Sequence, residues 1–191
     1  MNIDGSARLE GLLGDPGRVP SRIPWEESAE RIGLEFPADY RRLVDVYGSI
    51  RFGGDLSIWV PSGRTAYPGY PNGFEGFVHD TAAVAEELEL AYEDDPDEIP
   101  YLVCPSTGGL LAWGGTGNGE RCFWLVTDLA CPDEWPVVIW FQEIGQWDRF
   151  EGGIAEFLLA LIDGEYAMAG ELLAAPAALP WTPCLDRPWA E

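Results

Sequence analysis

Hydrophobic residues recur at helical spacing in two neighbouring segments near the start of the chain. The first covers residues 25–32, with Glu26 and Glu27 in its opening turn and Gly33 just after its end. The second begins at Pro37 and ends before Gly48, and its apolar face comprises Tyr40, Leu43, Val44 and Tyr47. These patterns predict a helical hairpin.

Beyond the second helix, apolar residues recur at every second position instead of at helical spacing. Residues 55–60 predict a strand with aliphatic side chains on one face and Ser57 and Trp59 on the other. A loop rich in Gly, Pro and Tyr is expected over residues 62–76. Asp80 is then expected to be the N-cap residue of a helix. Its inner face is expected to contain Val84, Leu88 and Tyr92, and its outer face Glu86, Glu87, Glu89 and Glu93.

Short apolar segments after this helix predict β-strands over residues 101–104, 109–113, 121–127 and 137–141. Turn residues separate the later segments, as in an antiparallel meander. A last amphipathic helix is expected over residues 154–162, before Gly164. The order predicts an α+β fold with an N-terminal helical hairpin, a mostly antiparallel central sheet, one intervening acidic helix and a closing C-terminal helix.

The length of 191 residues indicates one domain. Glycine and proline near the start predict a loosely ordered arm over residues 1–23. The domain is expected over residues 24–165. Four prolines among apolar residues predict that residues 166–191 form a tail that packs as extended chain across the domain.

The net charge of the chain disfavours two classes of partner. Asp and Glu number 33 and Arg 11, which gives a net charge of −22. Binding of nucleic acid or of an anionic membrane is disfavoured, because both need clustered cations. Residues 1–64 contain ten acids and eight Arg, whereas residues 65–191 contain 23 acids and three Arg. The excess of negative charge therefore lies after residue 64.

The motifs that usually accompany metal or covalent chemistry are missing from the sequence. Its four cysteines form no CxxC pair and have no neighbouring His, so we expect neither metal nor cofactor. The sequence shows no signal peptide and no membrane-spanning apolar run, so we expect a cytoplasmic location with reduced thiols. His79 is interpreted as a loop histidine beside a helix cap. The glycines of residues 114–119 predict a hairpin turn with Asn118-Gly119 as its type I′ pair, and not a phosphate-binding loop.

Several motifs, taken in order, resemble the SUKH superfamily, which includes the yeast Smi/Knr glucan-synthesis regulators and many bacterial immunity proteins. Residues 33–48 are similar to its opening signature, and residues 53–61 to its first strand. Residues 113–124 lie where the family has a Gly-rich turn between two strands. The last strand and closing helix of the family are similar to residues 136–140, Trp147, Phe150, residues 156–158 and Gly164. The resemblance covers residues 24–165.

The resemblance implies a binding fold without a catalytic centre, which in bacteria neutralises a cognate toxin domain, often a nuclease. A basic toxin would complement the charge of −22. Two alternatives stay open. The first is a regulatory scaffold that binds endogenous partners, as the yeast members would suggest. The second is a carboxylate-dependent hydrolase, for which the sequence offers only the abundance of carboxylates.

The contact residues expected for such a partner fall into two groups. The loops beside the sheet supply Asp55, Trp59, Asn118 and Glu120, and the acidic loop after the central helix supplies Asp94, Asp95, Asp97 and Glu98. The alternation leaves two interpretations of Trp59, either an exposed interface anchor or a side chain buried under the tail. The acidic loop is either a solvated loop or a docking patch.

Overall fold

The computed structural model describes residues 3–17, 22–61, 74–104, 107–173 and 181–183. The helices in these ranges are α1 (Ile3–Leu13), α2 (Trp25–Ile32), α3 (Ala38–Tyr47), α4 (Phe74–Asp94), α5 (Ile154–Asp163) and α6 (Ala169–Leu172), with 3-10 turns at Pro132–Glu134 and Gln142–Ile144. The strands are β1 (Ile50–Phe52), β2 (Leu56–Ile58), β3 (Leu102–Val103), β4 (Gly109–Gly115), β5 (Arg121–Val126), β6 (Val137–Phe141), β7 (Gln146–Phe150) and β8 (Trp181–Pro183).

The described strands form one sheet in the order β7-β6-β5-β4-β2-β1-β8, and β3 pairs with β4. The β3/β4 pair is parallel and the other described pairs are antiparallel. Strands β4 to β7 are consecutive along the chain and adjacent in the sheet. The predicted α+β class, with its mostly antiparallel sheet between helices, is confirmed.

Hydrophobic clusters cover both faces of the sheet, because successive side chains of a strand point to opposite sides. On one face, Leu111 and Trp113 pack in a cluster with α1, α3 and α5. On the other face, Leu110 and Ala112 pack against Val84 and Leu88 of α4. Strands with two covered faces give continuous apolar runs, and β4 and β6 are buried throughout. None of the helices in the described ranges is long and apolar enough to span a membrane.

Residues near the N-terminus differ from the loosely ordered arm expected over residues 1–23. Residues Ile3–Leu13 form helix α1, and Leu9 and Leu13 are buried in the first cluster. The glycines at positions 5 and 11 obscured this helix in the sequence, although only Gly14 and Gly17, beyond its end, have a positive φ. Helix α1 is therefore part of the core.

Helix α4 begins earlier than the sequence predicts. It starts at Phe74 and buries Phe77, so that His79 lies within a helix and the interpretation of His79 as a loop histidine is wrong. The side chain of Tyr92 is 51% exposed, which also corrects its expected place on the inner face. Most of the loop expected over residues 62–76 lies outside the described residues.

The chain after α5 adds to the same core. Leu172 and Leu173, in and just after α6, are buried in the first cluster. Strand β8 pairs antiparallel with β1, as an extended tail across the domain would. The rest of the predicted tail, residues 174–180 and 184–191, lies outside the described residues.

Candidate partner-binding surface

The hairpin that joins β4 to β5 forms one end of the sheet, where Asp55 and Asn118 come together. The Asp55 carboxylate accepts a 3.3 Å hydrogen bond from the backbone N–H of Gly117, and the backbone N–H of Asn118 donates to the Thr116 hydroxyl. Two predicted contact residues therefore meet at this end of the sheet. We call Asp55, Trp59 and residues 116–119 the hairpin end.

The turn itself is longer than the sequence predicts. The backbone N–H of Thr116 donates to the carbonyl of Glu120 at 3.1 Å, which leaves the three residues 117–119 in the turn. The expected two-residue type I′ turn is therefore wrong, although Gly119 does adopt a positive φ of 113°. Gly114 and Gly115 belong to β4, where a β-bulge shifts the register between Ala112 and Gly114.

The structure contradicts an exposed contact role for Glu120. Its side chain is only 3% exposed and accepts a hydrogen bond from the Thr116 hydroxyl inside the hairpin. A buried carboxylate requires such a partner, because burial removes its hydration. Sequence spacing alone placed Glu120 in a turn, where an acidic residue is usually exposed. We therefore assign it to support of the hairpin.

The burial of Trp59 is intermediate between the two alternatives predicted from the sequence. Its side chain is half-buried and packs against residues of both clusters. Its backbone is held on both sides, since its N–H donates to the Trp113 carbonyl and its carbonyl accepts from the Tyr40 hydroxyl. The remaining exposed part of the ring lies on a fixed backbone, as an interface anchor requires.

A polar network connects the strands near the hairpin end to α4. The Glu87 carboxylate lies 3.3 Å from the Arg121 guanidinium and accepts a 2.8 Å hydrogen bond from the Gln142 side chain. The helical pattern predicts Glu87 on the outer face of the helix, and no sequence motif indicates a role for Arg121 or Gln142. The long-range contacts of Glu87 carry no local sequence signal.

The exposed side of α4 and the loop after it carry a continuous series of carboxylates. Residues 74–98 contain ten acidic residues and no Lys or Arg. Eight of these acids are exposed, and one of them, Glu75, is paired with Arg31. The other seven define what we call the acidic ridge: Glu86, Glu89, Glu93, Asp94, Asp95, Asp97 and Glu98. Two exposed apolar side chains on α4, Leu90 at 57% and Tyr92 at 51%, accompany them.

The acidic loop is held in place by hydrogen bonds. The backbone N–H of Asp97 donates to the Asp95 carboxylate, and the backbone N–H of Glu98 donates to the Asp95 carbonyl. The Glu98 carbonyl in turn accepts a 2.9 Å hydrogen bond from the Trp147 indole. Of the four predicted acids, Asp94 ends α4, whereas Asp95, Asp97 and Glu98 lie in the loop that follows it. Asp55 and Asn118 lie at the hairpin end.

Groups with potential for acid-base or metal chemistry are sparse in the described chain. The His79 imidazole lies 3.7 Å from the Asp80 carboxylate, and burial raises the pKa of Asp80 to about 6. Burial also raises the pKa of the thiols of Cys104 and Cys122, which lowers their reactivity. Within the described ranges, no group of three or more His, Cys, Asp or Glu side chains is placed to hold a metal ion. Cys184 lies outside those ranges.

Three comparisons with known proteins found no match for this chain. No protein-family model matches the chain. Searches of curated proteins and of solved structures likewise give no match.

Proposed function

We propose that this chain is an immunity-type binding protein, which neutralises a cognate basic toxin domain by forming a stoichiometric complex with it. The blocking is steric and electrostatic. A toxin that cleaves nucleic acid would carry the cationic surface that such a protein covers, because phosphate binding requires clustered Lys and Arg.

The acidic ridge is the observation that carries this proposal. Helix α4 has 21 residues, which makes it about 31 Å long. That length suits a standard protein interface, which buries about 800 Å² on each partner. Residues 74–98 contain no Lys or Arg, and two guanidinium groups that contact α4 are paired with acids outside the ridge, Arg121 with Glu87 and Arg31 with Glu75. The field at the ridge is therefore strongly negative.

Such a surface would act first on the rate of association. Opposite fields on two proteins raise association rate constants to about 10⁸–10⁹ M⁻¹s⁻¹ in favourable cases. Charge alone gives little residence time, because exposed ion pairs contribute only about 0.2–1 kcal/mol each. Leu90 and Tyr92, exposed among the acids, would supply the apolar contact that slows dissociation.

The resemblance to the SUKH superfamily supports the same function. The segments that carry it include residues 33–48, which form the loop after α2 and helix α3, and residues 113–124, which contain the hairpin. These segments contribute to the core and to the hairpin end. They favour a binding fold of this kind.

Co-expression tests the proposal directly. The probe is the toxic domain encoded beside this chain in its genome, expressed with and without the chain in the same host. We expect growth to be restored and a one-to-one complex to be recovered by size-exclusion chromatography. Growth arrest together with the absence of a complex would defeat the proposal for that pair. Restored growth without a complex would contradict stoichiometric blocking.

A further inference from the structure

Strand β7 forms one edge of the sheet. Among the strands that the structure describes, β6 pairs with one side of β7 and none pairs with the other. A terminal strand presents backbone N–H and C=O groups that can pair with another chain. The acidic ridge of the proposed function does not include this strand.

The hydrogen bonds of β6 show which of its residues face β7. On the β5 side, the Leu125 N–H donates to the carbonyl of Pro136 at 3.0 Å. Because backbone groups along a strand point to its two neighbours in turn, the next residue, Val137, faces the other way. The Val137 N–H does donate to the carbonyl of Gly152, just beyond β7. Alternate residues of β6 from Val137 onward therefore face β7.

The register then identifies the backbone groups of β7 that point outward. The residues of β6 that face β7 pair with Phe150, Asp148 and Gln146. Trp147 and Arg149 lie between these three, so their N–H and C=O groups point away from β6. None of the turn and loop hydrogen bonds found in the described residues uses these groups. The outward groups of Trp147 and Arg149 are thus open to a partner strand.

Packing on both faces of the sheet fixes this edge. On the face towards α4, the ring of Trp147 stacks on Trp140 with 5.2 Å between ring centroids, and its indole donates to the Glu98 carbonyl at 2.9 Å. On the opposite face, the Asp148 carboxylate accepts a 2.7 Å hydrogen bond from the Tyr166 hydroxyl. A strand that is already extended and held on both faces needs little ordering to pair with another strand.

Exposed acids surround the edge and select the charge of its partner. Glu143 precedes β7, Glu151 follows it, and the backbone of Glu98 accepts the indole hydrogen bond of Trp147. Arg149, the basic residue of β7, is bound to Glu151 at 2.7 Å. A second copy of the chain would bring the same acids together, and like charges across a strand pair are destabilising. A strand that carries Lys or Arg would bring opposite charges to these acids.

We propose that the toxin domain adds an extended basic segment to β7, an assignment that rests on the proposed function. The outward N–H and C=O groups of Trp147 and Arg149 would pair with the backbone of the added strand. Its side chains would alternate between the two faces, so that Lys or Arg on the α4 side would reach the acidic loop beside Trp147. The added strand would continue the sheet into the partner next to the acidic ridge.

Amide hydrogen exchange of the full chain, alone and with the toxic domain encoded beside it, tests this pairing. In the free chain we expect faster exchange at Trp147 and Arg149 than at Asp148 and Phe150, which face β6. In the complex, exchange at Trp147 and Arg149 should slow at least about tenfold. A complex in which these two amides exchange as in the free chain would overturn the pairing and leave the proposed function standing. Failure to form any complex would defeat the proposed function for that pair, and the pairing with it.

The free chain also tests the competing occupant of the edge. Slow exchange at Trp147 and Arg149 without the toxin domain, together with a dimer in size-exclusion chromatography, would place a second copy on β7. That result would overturn the pairing with a basic segment.

Two matched variants at Arg149 separate the backbone from the side chain. Arg149→Pro and Arg149→Ala both remove the guanidinium and its ion pair with Glu151, but only Arg149→Pro removes the outward N–H. Proline is tolerated at such a position of an edge strand. We expect the complex of Arg149→Pro to dissociate about tenfold faster than that of Arg149→Ala. Equal dissociation rates would overturn the pairing, and if Arg149→Pro does not fold, the exchange of the Arg149 amide in the parent complex decides.

Discussion

The Asp39 carboxylate accepts a hydrogen bond of 3.0 Å from the backbone N–H of Ala155 and so joins the first turn of α3 to the first turn of α5. Its other oxygen accepts from the backbone N–H of Tyr40 at 2.7 Å. A comparable bond connects Asp133 to the first turn of α3, since its carboxylate accepts from the N–H of Ala38. Donors at helix N-termini that have no intrahelical acceptor are thus satisfied by distant residues.

Replacing Asp39 tests this connection between the helices. Asp39→Ala leaves the Ala155 N–H without its acceptor in a partly buried site, and we expect a loss of about 1–2 kcal/mol in the free energy of unfolding. Asp133→Ala removes a more exposed cap, and its cost should be smaller. Urea denaturation followed by tryptophan fluorescence measures both. An Asp39→Ala protein as stable as the parent would contradict the connection.

The same carboxylate predicts a pH dependence. Burial raises the pKa of Asp39 above its ordinary value of 3.8, and Asp133 and Glu156 nearby act in the same direction against two backbone hydrogen bonds. The folded state then binds this proton more tightly than the unfolded state. The stability that Asp39 contributes is present below its unfolded pKa and is lost as pH rises through its folded pKa.

Asp39→Asn cannot titrate and isolates this effect. The free energy of unfolding of the parent minus that of Asp39→Asn should be largest near pH 3 and smaller near pH 7, by the linkage between proton binding and folding. Denaturation curves of both proteins at the two pH values supply the difference, in which the titration of the other acids cancels. A difference that grows with pH would show that the pKa shift has the opposite sign.

Gly114 is expected to tolerate no side chain. A Cβ at this position would lie 2.6 Å from the Ser57 carbonyl oxygen across the β2/β4 pair, whereas a Cβ at Gly117 would meet its nearest atom at 3.6 Å. Gly114→Ala should therefore force the strands apart and cost about 2 kcal/mol, and Gly117→Ala should change stability by less than about 0.5 kcal/mol. Thermal melts that showed equal effects would argue against the β2/β4 register.

Helix α1 gives a test of the core near the N-terminus. Leu9 is 2% exposed and Leu12 is 47% exposed. Leu9→Ala should lower the free energy of unfolding by about 2–4 kcal/mol, because it leaves a cavity between α1 and the first cluster. Leu12→Ala on the same helix should lie within about 0.5 kcal/mol of the parent. Small effects of similar size for both substitutions would contradict the burial of Leu9 and would favour a loosely ordered arm.

Sequence patterns predicted the elements with periodic or continuous apolar residues and missed β1, β7 and α1. The spacing of Tyr40, Leu43, Val44 and Tyr47 gave α3, and all four are buried. Strand β1 has three residues and β7 mixes polar and aromatic side chains, so neither has a local signal. Helix α1 was hidden because its glycines suggested a loop.

For the candidate site, too, some features followed from the sequence and others only from the structure. Alternation predicted that Trp59 faces away from Leu56 and Ile58, whereas its half-buried ring packs against both clusters. Position in a turn suggested that Glu120 is exposed, but its carboxylate turns inward to Thr116. The charge count and the helical pattern predicted an acidic helix and an acidic loop, and the structure adds that seven of these acids are exposed whereas Glu87 is half-buried against Arg121.

The rate of association with the toxin domain tests the central claim most directly. E86Q/E89Q/E93Q neutralises three exposed acids of the ridge, and E26Q/E27Q/E30Q neutralises three exposed glutamates of α2, so both variants have the same net charge. Stopped-flow measurements at low and high salt should show the ridge variant associating about tenfold more slowly at low salt, with a flatter salt dependence. The α2 variant should differ from the parent by less than about threefold. Equal rates for the two variants would contradict the assignment of the acidic ridge as the surface that binds the toxin.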